Sequence, residues 1–179
     1  TVADTLKLTI ANINDAPFVA NAIADIEVDE DSEPITVAIN GVFDDADILI
    51  GDSLTITAAS LADTLVTVDY DSNSVPMLLL LENGNGETDI IVTATDLGGL
   101  TANDTVHVTI LPVNDAPIMS ALADTTIDED SAIDIILTAS DVDEDTLTFS
   151  ATADTSAVIV TVSTDTLSLS LADNWNGNS

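Results

Sequence analysis

The sequence predicts an all-β protein made of tandem Greek-key β-sandwiches, seven strands to the complete unit, and three observations predict it. The first is internal repetition: Asn14-Asp15-Ala16-Pro17 returns as Asn114-Asp115-Ala116-Pro117, a period near 100 residues. Upstream, Thr1-Val-Ala-Asp-Thr-Leu-Lys-Leu-Thr-Ile10 superposes without a gap on Thr101-Ala-Asn-Asp-Thr-Val-His-Val-Thr-Ile110. Downstream, Glu30-Asp31-Ser32 answers to Glu129-Asp130-Ser131 at an offset of 99, and Leu54-Thr55 to Leu147-Thr148 at an offset of 93, the drift being one loop insertion at 48–51. A fixed period marks stacked structural units. The second observation is alternation: Leu6, Leu8 and Ile10 alternate with Lys7 and Thr9, and Val106, Val108 and Ile110 with His107 and Thr109, as in half-buried strands. The third is punctuation by Asn40-Gly41, Asn83-Gly84-Asn85-Gly86 and Gly98-Gly99, turn signals at the spacing of a sandwich.

Taken in order, strands are expected near 23–29, 34–42, 54–60, 64–70, 77–82, 88–96 and 102–111. Thr and Val supply β-branched side chains that suit a pleated surface. No stretch carries a 3.6-residue apolar stripe, so helix is expected to be nearly absent. The run 77–81 lacks alternation, which fits a strand covered on both faces or one at a domain edge. In the second repeat, strands are expected near 124–128, 132–139, 146–152, 157–163 and 165–171. The expected domains are 1–17, the last strand and linker of a preceding repeat; 18–117, a complete repeat; and 118–179, an incomplete repeat lacking its last two strands. A sandwich in that state exposes unpaired edges. Two explanations fit: the chain is a window on a longer array, or residues 1–13 of one copy fill the gap in another by strand addition.

Against 33 Asp and Glu the chain sets one Lys, no Arg and one His, a formal charge of -32, yet 46% of its residues are hydrophobic. Disordered acidic chains lack the apolar content to offset ordering entropy, whereas this chain has it, so compact units are expected. Aromatic residues make up 3%, so the cores are expected to be aliphatic. Cysteine is absent, which removes disulfide staples and thiolate metal sites. The longest apolar run, 77–81, falls far short of the roughly 20 residues of a spanning helix, so no membrane insertion is expected. No signal peptide is legible, and a start at Thr1 is expected of a mature product or an excised piece. So acidic a surface repels nucleic acid and anionic lipid, whose binding relies on Lys and Arg at phosphates. Cations are the natural partners, and the charge also serves solubility, as in salt-adapted proteins.

The carboxylates gather at the repeat junctions. The second junction draws Asn114 and Asp115 from the linker, Asp141, Asp143, Glu144 and Asp145 from one loop, and Glu30 or Asp31 from the preceding repeat. The first gathers Asn14, Asp15, Asp44, Asp45, Asp47, Asp52 and Asp96. Two carboxylates about 5 Å apart repel by roughly 3 kcal/mol at an effective dielectric of about 20, so such clusters favour a divalent ion. Calcium is the expected cofactor because it takes about six to eight oxygens in irregular geometry, whereas magnesium demands a strict octahedron. Asp-x-Asp in a loop directs two carboxylates to one side, and Asn or Asp just before Pro117 adds oxygens from a segment held extended. An EF-hand is the rival motif, but 141–145 lacks its later Gly and its flanking helices.

The order Glu-Asp-Ser, Asp-x-Asp, Asn-Gly-Asn-Gly, Ala94-Thr95-Asp96-Leu97-Gly98-Gly99-Leu100 and Val113-Asn114-Asp115-Ala116-Pro117 resembles the bacterial cadherin-like tandem repeats of very large surface adhesins, over the whole chain. The resemblance implies a cadherin-like/Ig-like sandwich and an interdomain calcium cluster. Such a cluster is held by an acidic residue near the first strand, the linker Asn-Asp, the Asp-x-Asp of the next domain and an Asp closing its sixth strand. By position it implies Glu30, Asn114, Asp115, Asp141 and Asp143 at the second junction and Asn14, Asp15, Asp45, Asp47 and Asp96 at the first. Each set lacks one contributor: residues 1–13 bring no first-strand Glu, and the second repeat has no counterpart of Asp96. The linker is shorter than in animal cadherins and no Leu-Asp-Arg-Glu equivalent is present, so one or two ions per junction are expected rather than three.

Catalysis is not expected. His107 lies on the polar phase of a strand at the position of Lys7, a solvated surface site, and the partners of Ser-His-Asp or Cys-His machinery are lacking. Paired carboxylates of the glycosidase kind have no aromatic platform beside them. Asn103-Asp104-Thr105 forms a glycosylation sequon, Trp175 is expected in a core or at an edge, and the Asn-Gly runs are turns. The leading expectation is an extracellular, cell-surface repeat, a calcium-stiffened spacer or adhesive module. Its partners are adjacent repeats or copies of itself, with a surface glycan or protein as ligand of the parent. A self-assembling filament subunit that donates its N-terminal strand is the alternative, and carbohydrate binding or hydrolysis by the acidic loops comes third.

Overall fold

Period two in the sequence becomes period two in burial. A computed structural model of the chain describes residues 3–177, and it divides into two units, Thr1–Val113 and Asn114–Ser179. The first unit holds β1 (Phe18–Val19), β2 (Ile26–Asp29), β3 (Ile35–Thr36), β4 (Phe43–Asp44), β5 (Thr55–Ser60), β6 (Val66–Tyr70), β7 (Pro76–Leu80), β8 (Gly86–Thr95) and β9 (Thr101–Leu111). Two sheets, β2-β9-β8-β5 and β3-β7-β6, form the sandwich, and β1 pairs with β4 beside them. Within the larger sheet β2 runs parallel to β9, while β8 is antiparallel to both β9 and β5. Val66 and Leu78 from one sheet meet Ile90, Val92, Val106 and Val108 from the other, all without exposed surface. Apart from Phe43 the buried core is aliphatic, as the composition requires.

Each of the seven strands expected of the complete repeat has its counterpart here, but two differ in detail. The stretch 34–42 shortens to Ile35–Thr36, because the Val42 N–H bonds to Ile39 in a turn and the chain then crosses to pair with β1. The run 77–81 becomes β7, which lies in the middle of its sheet between β3 and β6, with Pro76 at the first position where a missing N–H is tolerated. Helix amounts, among the described residues, to the 3-10 turn Ile48–Ile50, closed by Gly51 at φ 113°. No helix among the described residues is long and apolar enough to cross a membrane.

Residues 1–13 depart from expectation. Positions 1 and 2 lie outside the described residues, and 3–13 form no strand, with Leu6, Leu8 and Ile10 exposed by 92%, 77% and 85%. A strand exists only beside another strand, and in this unit β9 already fills the equivalent place.

The second unit holds β10 (Ile118–Met119), β11 (Ala132–Ile136), β12 (Ala139–Ser140), β13 (Val158–Ser163) and β14 (Thr166–Leu171). Its sheet is β11-β14-β13, and β10 pairs with β12 as β1 does with β4. The expected strand 132–139 is split, since Leu137 turns inward to bond Asp165 before β12 begins. The expected strands 124–128 and 146–152 do not form. Their counterparts in the first unit, β2 and β5, flank β9 and β8, and among the described residues no strand follows β14 to play either part. The core is correspondingly small, with Leu137 and Leu167 as its buried hydrophobic residues.

Candidate metal centre

Three segments of the first unit converge: residues 12–15 before β1, the connection 45–54 between β4 and β5, and the turn 96–100 between β8 and β9. Each is shaped by carboxylates bonding nearby backbone, the Asp and Asn habit in turns. Asp45 Oδ1 accepts the Asp47 N–H at 2.7 Å. Asp47 in turn accepts the Asn12 Nδ2 amide at 3.0 Å and the Asp15 N–H at 2.7 Å, which ties the linker to the loop. Asp96 Oδ1 closes its own turn on the Leu100 N–H at 2.8 Å, and Oδ2 accepts the Asn14 amide at 2.9 Å. Asp52 Oδ1 accepts the N–H groups of Ser53 at 2.6 Å and Leu97 at 3.0 Å. Gly98 permits this closure: a Cβ there would stand 2.6 Å from Asn14 Nδ2.

Two oxygens are left over. Asp45 Oδ2 and Asp52 Oδ2 are buried and accept no hydrogen bond. One carboxylate oxygen from each of Asp45, Asp52 and Asp96 lies within 4.8 Å of the others. Asp45, Asp47 and Asp96 are 5%, 4% and 6% exposed. Buried charges are stable when paired or when they coordinate a metal, and a set of hard carboxylate oxygens fits a hard divalent cation. Burial pushes the Asp96 carboxyl up, but the Asn14 amide and the N–H groups of Leu100, Gly99 and Gly98 outweigh it and hold the group below its ordinary value. It is thus kept as an anion.

The second unit repeats the base of this arrangement. Asp141 Oδ1 accepts the Asp143 N–H at 3.0 Å and the Asp145 N–H at 3.4 Å. Asp143 Oδ2 accepts the Asp115 N–H at 2.6 Å, and the Asn114 amide donates to the Asp115 carbonyl at 2.9 Å. Glu30 belongs to the first unit, where it is 3% exposed, with the Val113 N–H on Oε1 at 2.8 Å and the Asn85 amide on Oε2 at 3.3 Å.

Asn14, Asp15, Asp45, Asp47 and Asp96 therefore share one network in the first unit, and Asn114, Asp115, Asp141 and Asp143 share one in the second. The resemblance omits Asp52, although it offers one of the two orphan oxygens. A signal for it exists in the repeat: Asp52 and Asp145 each stand two residues before the matching Leu-Thr pair. Asn12, which grips Asp47, carries no such signal. His107 on β9 lies opposite Asp89 on β8, with Nδ1 2.8 Å from that carboxylate and Nε2 3.8 Å from Glu87. The Asp89 hydrogen bond, opposed by burial and aided by the charges of Asp89, Glu87 and Asp25, raises the imidazole pKa above its ordinary value.

These features define two all-β units, the first a β-sandwich, each with an acidic loop at its entry. Residues 114–179 match the family model described as Bacterial Ig domain. No curated protein matches the chain. Among solved structures it is similar to the titin domains z1z2 in complex with telethonin, at 11% identity and TM-score 0.37, over 92% of this chain and 85% of that one. It is also similar to protocadherin gamma B7 extracellular cadherin domains 1–4, at 19% identity and TM-score 0.42, over 91% of this chain. The chain spans 43% of that protocadherin structure.

Proposed function

We propose that the acid cluster of the first unit is a calcium site, and that the chain acts as a non-catalytic extracellular repeat, a spacer or adhesive module whose linkers stiffen when metal binds. The observation that carries this reading is the pair of buried, unbonded oxygens Asp45 Oδ2 and Asp52 Oδ2 beside Asp96. Asp45, Asp52 and Asp96 would hold the ion directly, and Asp47 and Asn14 would hold the linker against them. Asn114, Asp115, Asp141 and Asp143, with Asp145, would form the corresponding site of the second unit, and the cadherin resemblance adds Glu30. A bound divalent cation supplies the positive charge that a chain with 33 acids and a single Lys lacks. Extracellular modules of this kind bind calcium at about 10⁻⁴ to 10⁻³ M. Neighbouring repeats are the partners this reading assigns, and the acidic surface disfavours nucleic acid.

Small-angle scattering and thermal melting of the chain in calcium and in EGTA test the proposal. Calcium is expected to raise the first unit's melting temperature and to narrow the distribution of dimensions. Identical melts and identical dimensions in both buffers would sink it.

A further inference from the structure

The insertion that brings Asp52 into the acid cluster also carries Ile48, Leu49 and Ile50, and these side chains stand in solvent. Leu49 is 95% exposed and Ile50 64%. The tip is a closed turn: the Asp47 carbonyl accepts the Ile50 N–H at 3.0 Å and the Asp52 N–H at 3.2 Å, and the Ile48 carbonyl accepts the Gly51 N–H at 3.4 Å. A second turn stands beside it, because the Leu97 N–H donates to Asp52 Oδ1 at 3.0 Å and the Leu100 N–H to Asp96 Oδ1 at 2.8 Å. Leu97 is 72% exposed. An apolar tip therefore borders the carboxylates of Asp45, Asp52 and Asp96, among which Asp45 Oδ2 and Asp52 Oδ2 are buried without a hydrogen bond. We propose that, once calcium fills this cluster, the tip docks on the surface of a phospholipid bilayer, the ion meeting headgroup phosphate while Leu49, Ile50 and Leu97 enter the interfacial layer. This inference rests on the calcium reading above.

Coordination, charge and size select that occupant. Calcium takes about six to eight oxygens, so three carboxylates leave room for oxygens from outside, and phosphate supplies hard anionic ones. With one Lys and no Arg, the chain has almost no cation of its own to meet a phosphate. Without the ion the acidic surface repels anionic lipid; with it, attraction is confined to the filled cluster. A protein partner would need a complementary surface of about 800 Å² on each side, more than a single tip offers, whereas the bilayer interface accepts a few side chains without a shaped pocket. The contact lies on the membrane and spans nothing. In the second unit the loop 141–145 keeps the Asp-x-Asp base but lacks the insertion, so the docking is assigned to the first unit alone.

Flotation of the full chain with vesicles of equal parts phosphatidylserine and phosphatidylcholine, in calcium and in EGTA, tests this beside a thermal melt in the same buffers. Binding is expected in calcium only. Leu49→Asp, at an exposed position outside the core, is expected to weaken vesicle binding by about tenfold or more while the calcium-dependent rise in melting temperature persists. Asp52→Asn is expected to lose both. A calcium-dependent melt without vesicle binding would overturn the docking and leave the calcium site standing, whereas a melt and a flotation both indifferent to calcium would remove the two together. Binding that persists in EGTA or survives Leu49→Asp would also overturn the docking, and calcium-driven dimers without vesicle binding would assign the tip to a second copy of the chain instead.

Discussion

Loop 45–52 of the first unit and loop 141–145 of the second share a base and part company above it. In both, the first Asp of Asp-x-Asp bonds the N–H of the second, and the second bonds the N–H of the linker Asp, at 2.7 Å to Asp15 and 2.6 Å to Asp115. In the longer loop the 3-10 turn Ile48–Ile50 lifts the chain away, so that Asp52 returns to face Asp45 and Asp96. In the shorter loop the Asp145 N–H folds back on Asp141 instead. An Asp-x-Asp in the loop and one Asp in the linker thus suffice to seat the linker on the loop. Concentrating three carboxylates takes an insertion and a turn more than forty residues away.

The cores offer the largest contrast. Leu78→Ala removes a side chain buried between two sheets and is expected to destabilise the first unit by about 2–5 kcal/mol. Leu167→Ala, on the middle strand of the three-stranded sheet β11-β14-β13, is expected to cost the second unit less, about 1–2 kcal/mol. Urea denaturation of both variants measures the gap, and equal losses would erase the distinction between a closed and an open core. Next comes the metal. At calcium about 100-fold above its dissociation constant a bound ion contributes about 2.7 kcal/mol. Asp45→Asn is expected to abolish that increment in the first unit's calcium-dependent melt, while Asp141→Asn leaves it intact; a loss with both variants would mean that the two loops act as one. Gly98→Ala is a smaller perturbation, since Asn14 can swing aside, and should cost about 1 kcal/mol and weaken calcium binding by calorimetry. The smallest effect is that of pH. His107 has a raised folded pKa, so its stabilising contribution is complete below the unfolded value of about 6.5 and fades as pH rises through the folded value. His107→Gln should flatten the dependence of melting temperature on pH across that window.

Alternation and repeat spacing made β5 to β9 legible because these strands bury one face and expose the other. They could not reveal that 124–128 and 146–152 lack neighbours, since a pattern of side chains does not record whether a partner strand lies beside it. Exposed Leu6, Leu8 and Ile10 teach the same limit, since their alternation is that of a strand. At the metal centre, the Asp-x-Asp and the linker Asn-Asp could be found from their recurrence, whereas Asn12 meets Asp47 through a contact 35 positions long that no local motif encodes. Asp52 lay between these cases: the insertion that brings it into the cluster also shifted it out of register with the rest of the repeat.

The parallel pairing of β2 with β9 sets how the first unit would answer to pulling. Because the first and last strands of the sandwich run side by side in the same direction, the chain enters this sheet at one pole and leaves it at the opposite one. Tension applied through those two ends slides β2 and β9 past each other, so their rungs must yield together under shear rather than peel away one by one.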